Sequence, residues 1–270
     1  MKTIVRIGFM GLSLLLICQP SVIRPNETKK KPGDYYKTLI QRQNLGIILG
    51  YPFLGQKRKP VKSVTKVIGS RMLTRFKYYP DGWPSNVKTE TKRKMTEDAK
   101  VNIVYLYDKE GKLKKCISRY YSSDELYAEK SRIFSYNKKK RITGYISEHF
   151  YFMPAGKDIT NSRKVLSHKL TGKYIYDLNG KVLREDILRE DTEFNEGSYI
   201  PGMTSRSTNR FFYGSKGKLI KQIMKSHVSK NVLDYLYNRN LELTGSKSQI
   251  VLKFDKKEDV FSGTVKYYYK

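Results

Sequence analysis

The spacing of apolar residues divides the chain into three stretches. Ile7 to Ile17 is an uninterrupted uncharged run, Ile-Gly-Phe-Met-Gly-Leu-Ser-Leu-Leu-Leu-Ile, behind Lys2 and Arg6. As a helix it spans roughly half of a ~30 Å hydrocarbon core, too little to cross a bilayer and right for the apolar region of a signal peptide. Residues 1–17 are therefore expected to direct export. Residues 18–34 are polar, with Arg24, Pro25 and Lys29-Lys30-Lys31-Pro32-Gly33, and read as a tether. Residues 35–59 form an N-terminal segment, in which Tyr35-Tyr36-Lys37-Thr38-Leu39-Ile40-Gln41-Arg42 predicts a short helix over about 35–45, before Gly46.

From residue 60 the period changes to two. Val61-Lys62-Ser63-Val64-Thr65-Lys66-Val67-Ile68 is rich in β-branched residues, and Met72-Leu73-Thr74-Arg75-Phe76-Lys77-Tyr78-Tyr79 runs up to the turn signal Pro80-Asp81-Gly82. Residues 84–99 are polar and lysine-rich, and are expected to form an exposed loop or a short helix over 88–99. Beyond them one phrase recurs. Tyr105-Leu106-Tyr107-Asp108-Lys109-Glu110-Gly111-Lys112-Leu113 returns as Tyr174-Ile175-Tyr176-Asp177-Leu178-Asn179-Gly180-Lys181-Val182, and as Phe211-Phe212-Tyr213-Gly214-Ser215-Lys216-Gly217-Lys218-Leu219. Weaker copies start at Phe134, Tyr235 and Leu252. An aromatic pair at i and i+2 lies on one face of a strand, a glycine-containing segment reverses the chain, and the aliphatic residue after Gly-Lys starts the return. One such hairpin is marginal alone, so the copies must pack into a continuous sheet. The expected fold is all-β: an antiparallel meander of hairpin repeats over 60–270, open or curled, with turns marked by Asp108, Gly111, Asp177, Gly180 and Gly217.

This phrase resembles the YD repeat, the Tyr-Asp unit of RHS-type proteins. It is more closely similar to small exported or lipid-anchored YD-repeat-like proteins of Gram-negative bacteria, whose basic opening strand Val61-Lys62-Ser63-Val64-Thr65 also resembles. The matching aromatics Tyr107, Tyr136, Tyr176, Tyr213, Tyr237 and Phe254 are unevenly spaced, so a full RHS shell is not implied. The resemblance implies β repeats and export, and no activity.

Composition adds surface character. The 22 tyrosines suit a half-buried pleated surface, and the formal net charge of +29 favours anionic partners, although lysines this evenly spread also keep β edges apart. Cys18 follows Leu15-Leu16-Ile17 and resembles the lipobox of bacterial lipoproteins, whose cysteine is acylated; Ile17 departs from the small residue that pattern prefers. Lipid attachment at Cys18 and ordinary secretory cleavage both stay open. Cys116 then stands alone and reads as a small buried hydrophobe. His149, His168 and His227 lack a second ligand at metal spacing, so neither a metal nor a cofactor is expected. The acidic group Glu185, Asp186, Glu190, Asp191, Glu193 and Glu196 reads as a strand and loop offsetting lysines. The expected function is a non-enzymatic, lipid-anchored envelope scaffold binding a partner or surface polymer, at the outer membrane, in the periplasm or secreted. The alternatives are a polyanion-binding module for lipopolysaccharide or nucleic acid, without specific nucleic-acid recognition, and a glycan-active enzyme using the 185–196 carboxylates.

Overall fold

Every aromatic–x–tyrosine unit closes one upstroke of the chain, and there are seven of them. In the computed structural model, described for residues 36, 38–56, 58–67, 70–93, 99–122, 124–155, 158–195, 198–254 and 257–269, the units are Phe76/Tyr78, Tyr105/Tyr107, Phe134/Tyr136, Tyr174/Tyr176, Phe211/Tyr213, Tyr235/Tyr237 and Tyr267/Tyr269. They alternate with return strands to give fourteen: β1 (Lys62–Val67), β2 (Ser70–Tyr78), β3 (Pro84–Arg93), β4 (Ala99–Tyr107), β5 (Leu113–Ser122), β6 (Glu125–Tyr136), β7 (Ile142–Ala155), β8 (Asp158–Tyr176), β9 (Val182–Asn195), β10 (Ser198–Tyr213), β11 (Leu219–Lys225), β12 (Ser229–Tyr237), β13 (Leu243–Phe254) and β14 (Lys257–Tyr268). Neighbours in sequence pair antiparallel, as short hairpins dictate. The expected open or curled meander is corrected at one seam. β1 pairs with β14 from Lys62↔Tyr268 to Val67↔Gly263, so the sheet is a closed barrel. Closure removes both free edges, which a long meander otherwise leaves exposed.

The turns at one rim share a single geometry. The residue after each tyrosine accepts from an N–H three residues on, and donates to the carbonyl four residues on: Asp108 with Gly111 and Lys112, Asn137 with Lys140 and Arg141, Asp177 with Gly180 and Lys181, Gly214 with Gly217 and Lys218, Asn238 with Leu241 and Glu242. Tyr79, Gly82 and Trp83 repeat it. The third position holds positive φ each time, at Gly82, Gly111, Lys140, Gly180, Gly217 and Leu241. Only glycine takes that conformation without steric cost, so Lys140 and Leu241 are strained where Gly111, Gly180 and Gly217 are not.

A β-bulge falls at the tyrosine of each of these six hairpins. It aims the tyrosine sideways along the rim. Those six hydroxyls, and a seventh from Tyr269 just after β14, donate to the backbone carbonyl that opens the repeat before each: Tyr78 to Pro60, Tyr107 to Pro84, Tyr136 to Leu113, Tyr176 to Ile142, Tyr213 to Val182, Tyr237 to Leu219 and Tyr269 to Leu243. The Tyr-Asp phrase is thus a joint between successive repeats, each bond contributing about 1 kcal/mol net. The weak copy read at Leu252 is corrected: Phe254 ends β13 at the opposite rim, where it pairs with Lys257.

The N-terminal segment plugs the tyrosine rim. Helix α1 (Leu39–Ile48) starts at a capping box in which Thr38 and Gln41 exchange bonds, so it begins and ends a few residues later than the sequence predicts. A 3-10 turn, Pro52–Gly55, follows. Leu45, Ile48, Phe53 and Leu54 are buried against Phe76, Tyr105 and Tyr174 of the wall. Phe53 packs edge-on against Phe76 and Tyr267, at 5.2 and 5.4 Å between ring centroids. The second helix expected over 88–99 is corrected: β3 occupies 84–93 and Ala99 opens β4. Val87, Thr89 and Thr91 share the face of β3 opposite to Lys88, Glu90 and Lys92, the alternation of a wall strand.

Candidate functional site

Alternation gives every wall strand two faces, and the plug shows which is inner. Phe134 and Tyr145 pack in its core, so Arg132, Lys130 and Ala128 of β6 face inward with Phe134, and Ser147 and His149 of β7 with Tyr145. The outer face follows from the same register. Arg75, Lys88, Arg119, Glu129, Lys169, Arg206, Asp234 and Lys247 stand on it near mid-height. Ion pairs on this face span neighbouring strands, among them Arg75–Glu90 at 2.7 Å, Arg119–Glu129 at 3.0 Å and Lys221–Asp234 at 3.4 Å. A barrel wall in lipid carries an apolar band about 25 Å tall, and each lysine or arginine at its middle costs roughly 2–4 kcal/mol. Charged residues thus interrupt this outer face, which also carries exposed Ile133, Ile146, Phe212 and Leu236.

Fourteen strands at the usual spacing and tilt make a ring roughly 25 Å across, wider than inward side chains fill. The plug shuts one end of it. Two gaps between plug and wall measure about 20 Å³, beside Asn44 and Ile142, and about 10 Å³, beside Gln56 and Leu219, each near the size of one water. The plug is also hooked to the wall. Asn44 donates to Gly180 O at 2.7 Å and accepts from Val182 N–H at 3.1 Å, while Gln56 accepts from Leu243 N–H and Tyr36 from Leu113 N–H.

Above the plug, one sector of the inner wall is polar. Register lines up Ser118, Lys130, His149, His168 and Asp191 across five neighbouring strands, β5 to β9, all facing in. Below that row Cys116 stands opposite Arg132, and Glu185 opposite Asn209. The His149 and His168 rings meet edge to face at 4.7 Å. Arg189 pairs with Asp191 at 2.7 Å, and Asn209 donates to Glu185 at 3.1 Å. The Arg132 guanidinium lies 4.2 Å over the Tyr145 ring. Neither Lys130 nor Arg132 forms an ion pair with a carboxylate of the described residues. Burial, reinforced by the Arg132 charge, lowers the Lys130 amine to about 8. Burial and then Arg189 lower the His168 imidazole to about 4, so it is neutral at physiological pH. Burial raises the Cys116 thiol, which keeps it protonated. Ser147 Oγ, His149 Nε2 and Asn209 Oδ1 are buried without a hydrogen-bond partner among the described residues.

The residues singled out in sequence separate accordingly. Asp108, Gly111, Asp177, Gly180 and Gly217 all lie in turns of the plugged rim. Cys18 and Glu196 lie outside the described residues. His149 and His168 come together in the lumen, while His227 is exposed in the turn between β11 and β12. The acidic group is split by strand parity: Glu185 and Asp191 face in, Asp186 and Glu190 out. Sequence reasoning missed Lys130, Arg132 and Arg189, because a single inward cation on an alternating strand looks like any solvent-facing one.

No family model matches the chain, and no curated protein matches it. Among solved structures it is similar to a porin-like protein from Bacteroides vulgatus, at 11% identity and a TM-score of 0.44, over 79% of this chain and 99% of that one. It is also similar to a porin-like protein from Bacteroides uniformis, at 10% identity and a TM-score of 0.33, over 78% and 96%. The functional reading of an open sheet is corrected with the fold. The repeat scaffold and the polymer-binding face are corrected, since the repeats close into a barrel whose inner side encloses a lumen, and the carboxylates proposed for glycan cleavage are divided between its two faces.

Proposed function

We propose that this chain is a binding barrel of the outer envelope, a blind receptacle at the outer membrane that holds a small water-borne ligand in its lumen, and is neither a through-channel nor an enzyme. The observation that carries this is the combination of a plugged rim with a polar inner sector directly above it. Small-ligand sites are concave and offer a few fixed polar groups, and buried polar atoms without partners mark where a ligand's own groups complete the bonding. The export signal read in residues 1–17 supports an address in the envelope, and the ion pairs on the outer wall support a barrel standing at the outer membrane with its sides in water. Two measurements test this. Reconstituted with planar bilayers, the purified protein should give no conductance steps. Alkaline carbonate should release it from envelopes that retain integral barrels. Steady single-channel conductance, or retention in the carbonate pellet, would refute the reading.

A further inference from the structure

Resting on the receptacle reading, we infer that the lumen takes a small oxyanion, a carboxylate or phosphate monoester group, between Lys130 and Arg132 of β6. The two cations stand two residues apart on one strand face, so both point into the lumen from the same side. Their register neighbours are neutral or hydroxylic: Ser118 and His149 flank Lys130, Cys116 and Ser147 flank Arg132. Of the carboxylates nearest in the wall, Asp191 is paired with Arg189, while Glu185 accepts from Asn209 and acts on both cations only through space, without an ion-pair contact. Two inward cations without a carboxylate at ion-pair distance are an unfavourable arrangement that a bound oxyanion relieves, through charge-assisted bonds from the guanidinium fork and the ammonium. Ser147 Oγ and His149 Nε2, buried and unpartnered, stand beside the two cations and supply further hydrogen-bonding groups at the same place. The Tyr145 ring under Arg132 fixes the guanidinium plane. A divalent metal is disfavoured at the His149–His168 pair by the same charges, Lys130, Arg132 and Arg189.

The test uses the full chain and three probes, inorganic phosphate, benzoate and neutral benzyl alcohol, titrated by isothermal calorimetry at pH 7 and low salt. Phosphate or benzoate should bind saturably at one site, and Lys130→Met should weaken that binding by at least about tenfold. Lys247→Met, which removes a cation from the outer face, should leave it unchanged. A second measurement guards against a misfolded variant. In the wild-type chain, reductive methylation of Lys130, followed by mass spectrometry, should slow when the bound probe is present. Equal loss in both variants, or no protection of Lys130, overturns the inference. Binding of benzyl alcohol as tight as benzoate also overturns it, while leaving the receptacle reading in place; binding of none of the three sinks both.

Discussion

Asn44 on helix α1 carries a disproportionate share of the plug's attachment, and its removal has a calculable cost. Its amide bonds Gly180 O at 2.7 Å and Val182 N–H at 3.1 Å, standing in for the strand partner that those groups lack at the start of β9. Asn44 is buried, and Val182 is fully buried. Asn44→Ala therefore leaves a buried acceptor and a buried donor unpaired. At about 1–3 kcal/mol for each orphaned group, partly offset by water entering the small gap beside Ile142, the net loss should be about 2–4 kcal/mol. Urea unfolding followed by tyrosine fluorescence should show a lower midpoint at an unchanged slope. Amide exchange at Val182 should accelerate by a matching factor, since its N–H loses its acceptor. Asn44→Asp separates the two bonds: the carboxylate still accepts from Val182 but repels Gly180 O, so it should fall between wild type and alanine or below both. A loss under about 0.5 kcal/mol in Asn44→Ala, with unaltered exchange at Val182, would show that apolar packing alone seats the plug.

Three other outcomes follow from the rim. Tyr213→Phe removes one hydroxyl bond to Val182 and should cost about 1 kcal/mol in urea unfolding, whereas the same change at exposed Tyr127 should cost nothing measurable. Gly180→Val places a β-branched residue at a φ of 83° and should destabilise the fold by about 1 kcal/mol or more, seen as a lower thermal midpoint; Leu241→Gly, at a φ of 60°, should stabilise it by about 0.5–1 kcal/mol and raise the midpoint. The rim tyrosines are raised above 10 by burial, Tyr269 to about 12 and Tyr176, Tyr213 and Tyr237 further. A phenol raised in the folded state contributes stability fully below pH 10 and loses it as pH climbs toward the folded value. Stability should hold to about pH 10 and then fall, with tyrosinate absorbance at 295 nm appearing together with unfolding; tyrosinate formed in the folded barrel near pH 10 would contradict the burial.

The hairpins were readable because their causes are local. Asp108 to Leu113 contains its own reversal, and a reader needs nothing distant to place it. The units at Tyr78 and Tyr269 were harder. The first is followed by Tyr79-Pro80-Asp81-Gly82-Trp83, which makes the same turn with other residues, and the second follows the strand that closes the barrel onto β1. Closure was not readable, since the pairing of Lys62 with Tyr268 joins the two ends of the sheet and leaves no mark in either strand's own pattern. Nor was the lumenal row. Lys130, His149, His168 and Asp191 lie on four strands, and their alignment is a product of register.

The plug also sets a gauge. The hydroxyl joints at the rim link each two-stranded unit to the one before it in the same way, so nothing within a unit counts how many should be strung together. The number is read by the N-terminal segment, whose Tyr36, Asn44 and Gln56 must reach the openings of β5, β9 and β13, positions spread around the ring. A duplicated or lost unit would still close a cylinder, but one whose girth no longer matched those three reaches. Lineages that change the length of this barrel should therefore change it at the far rim, where strands such as β8 already run long, and keep seven.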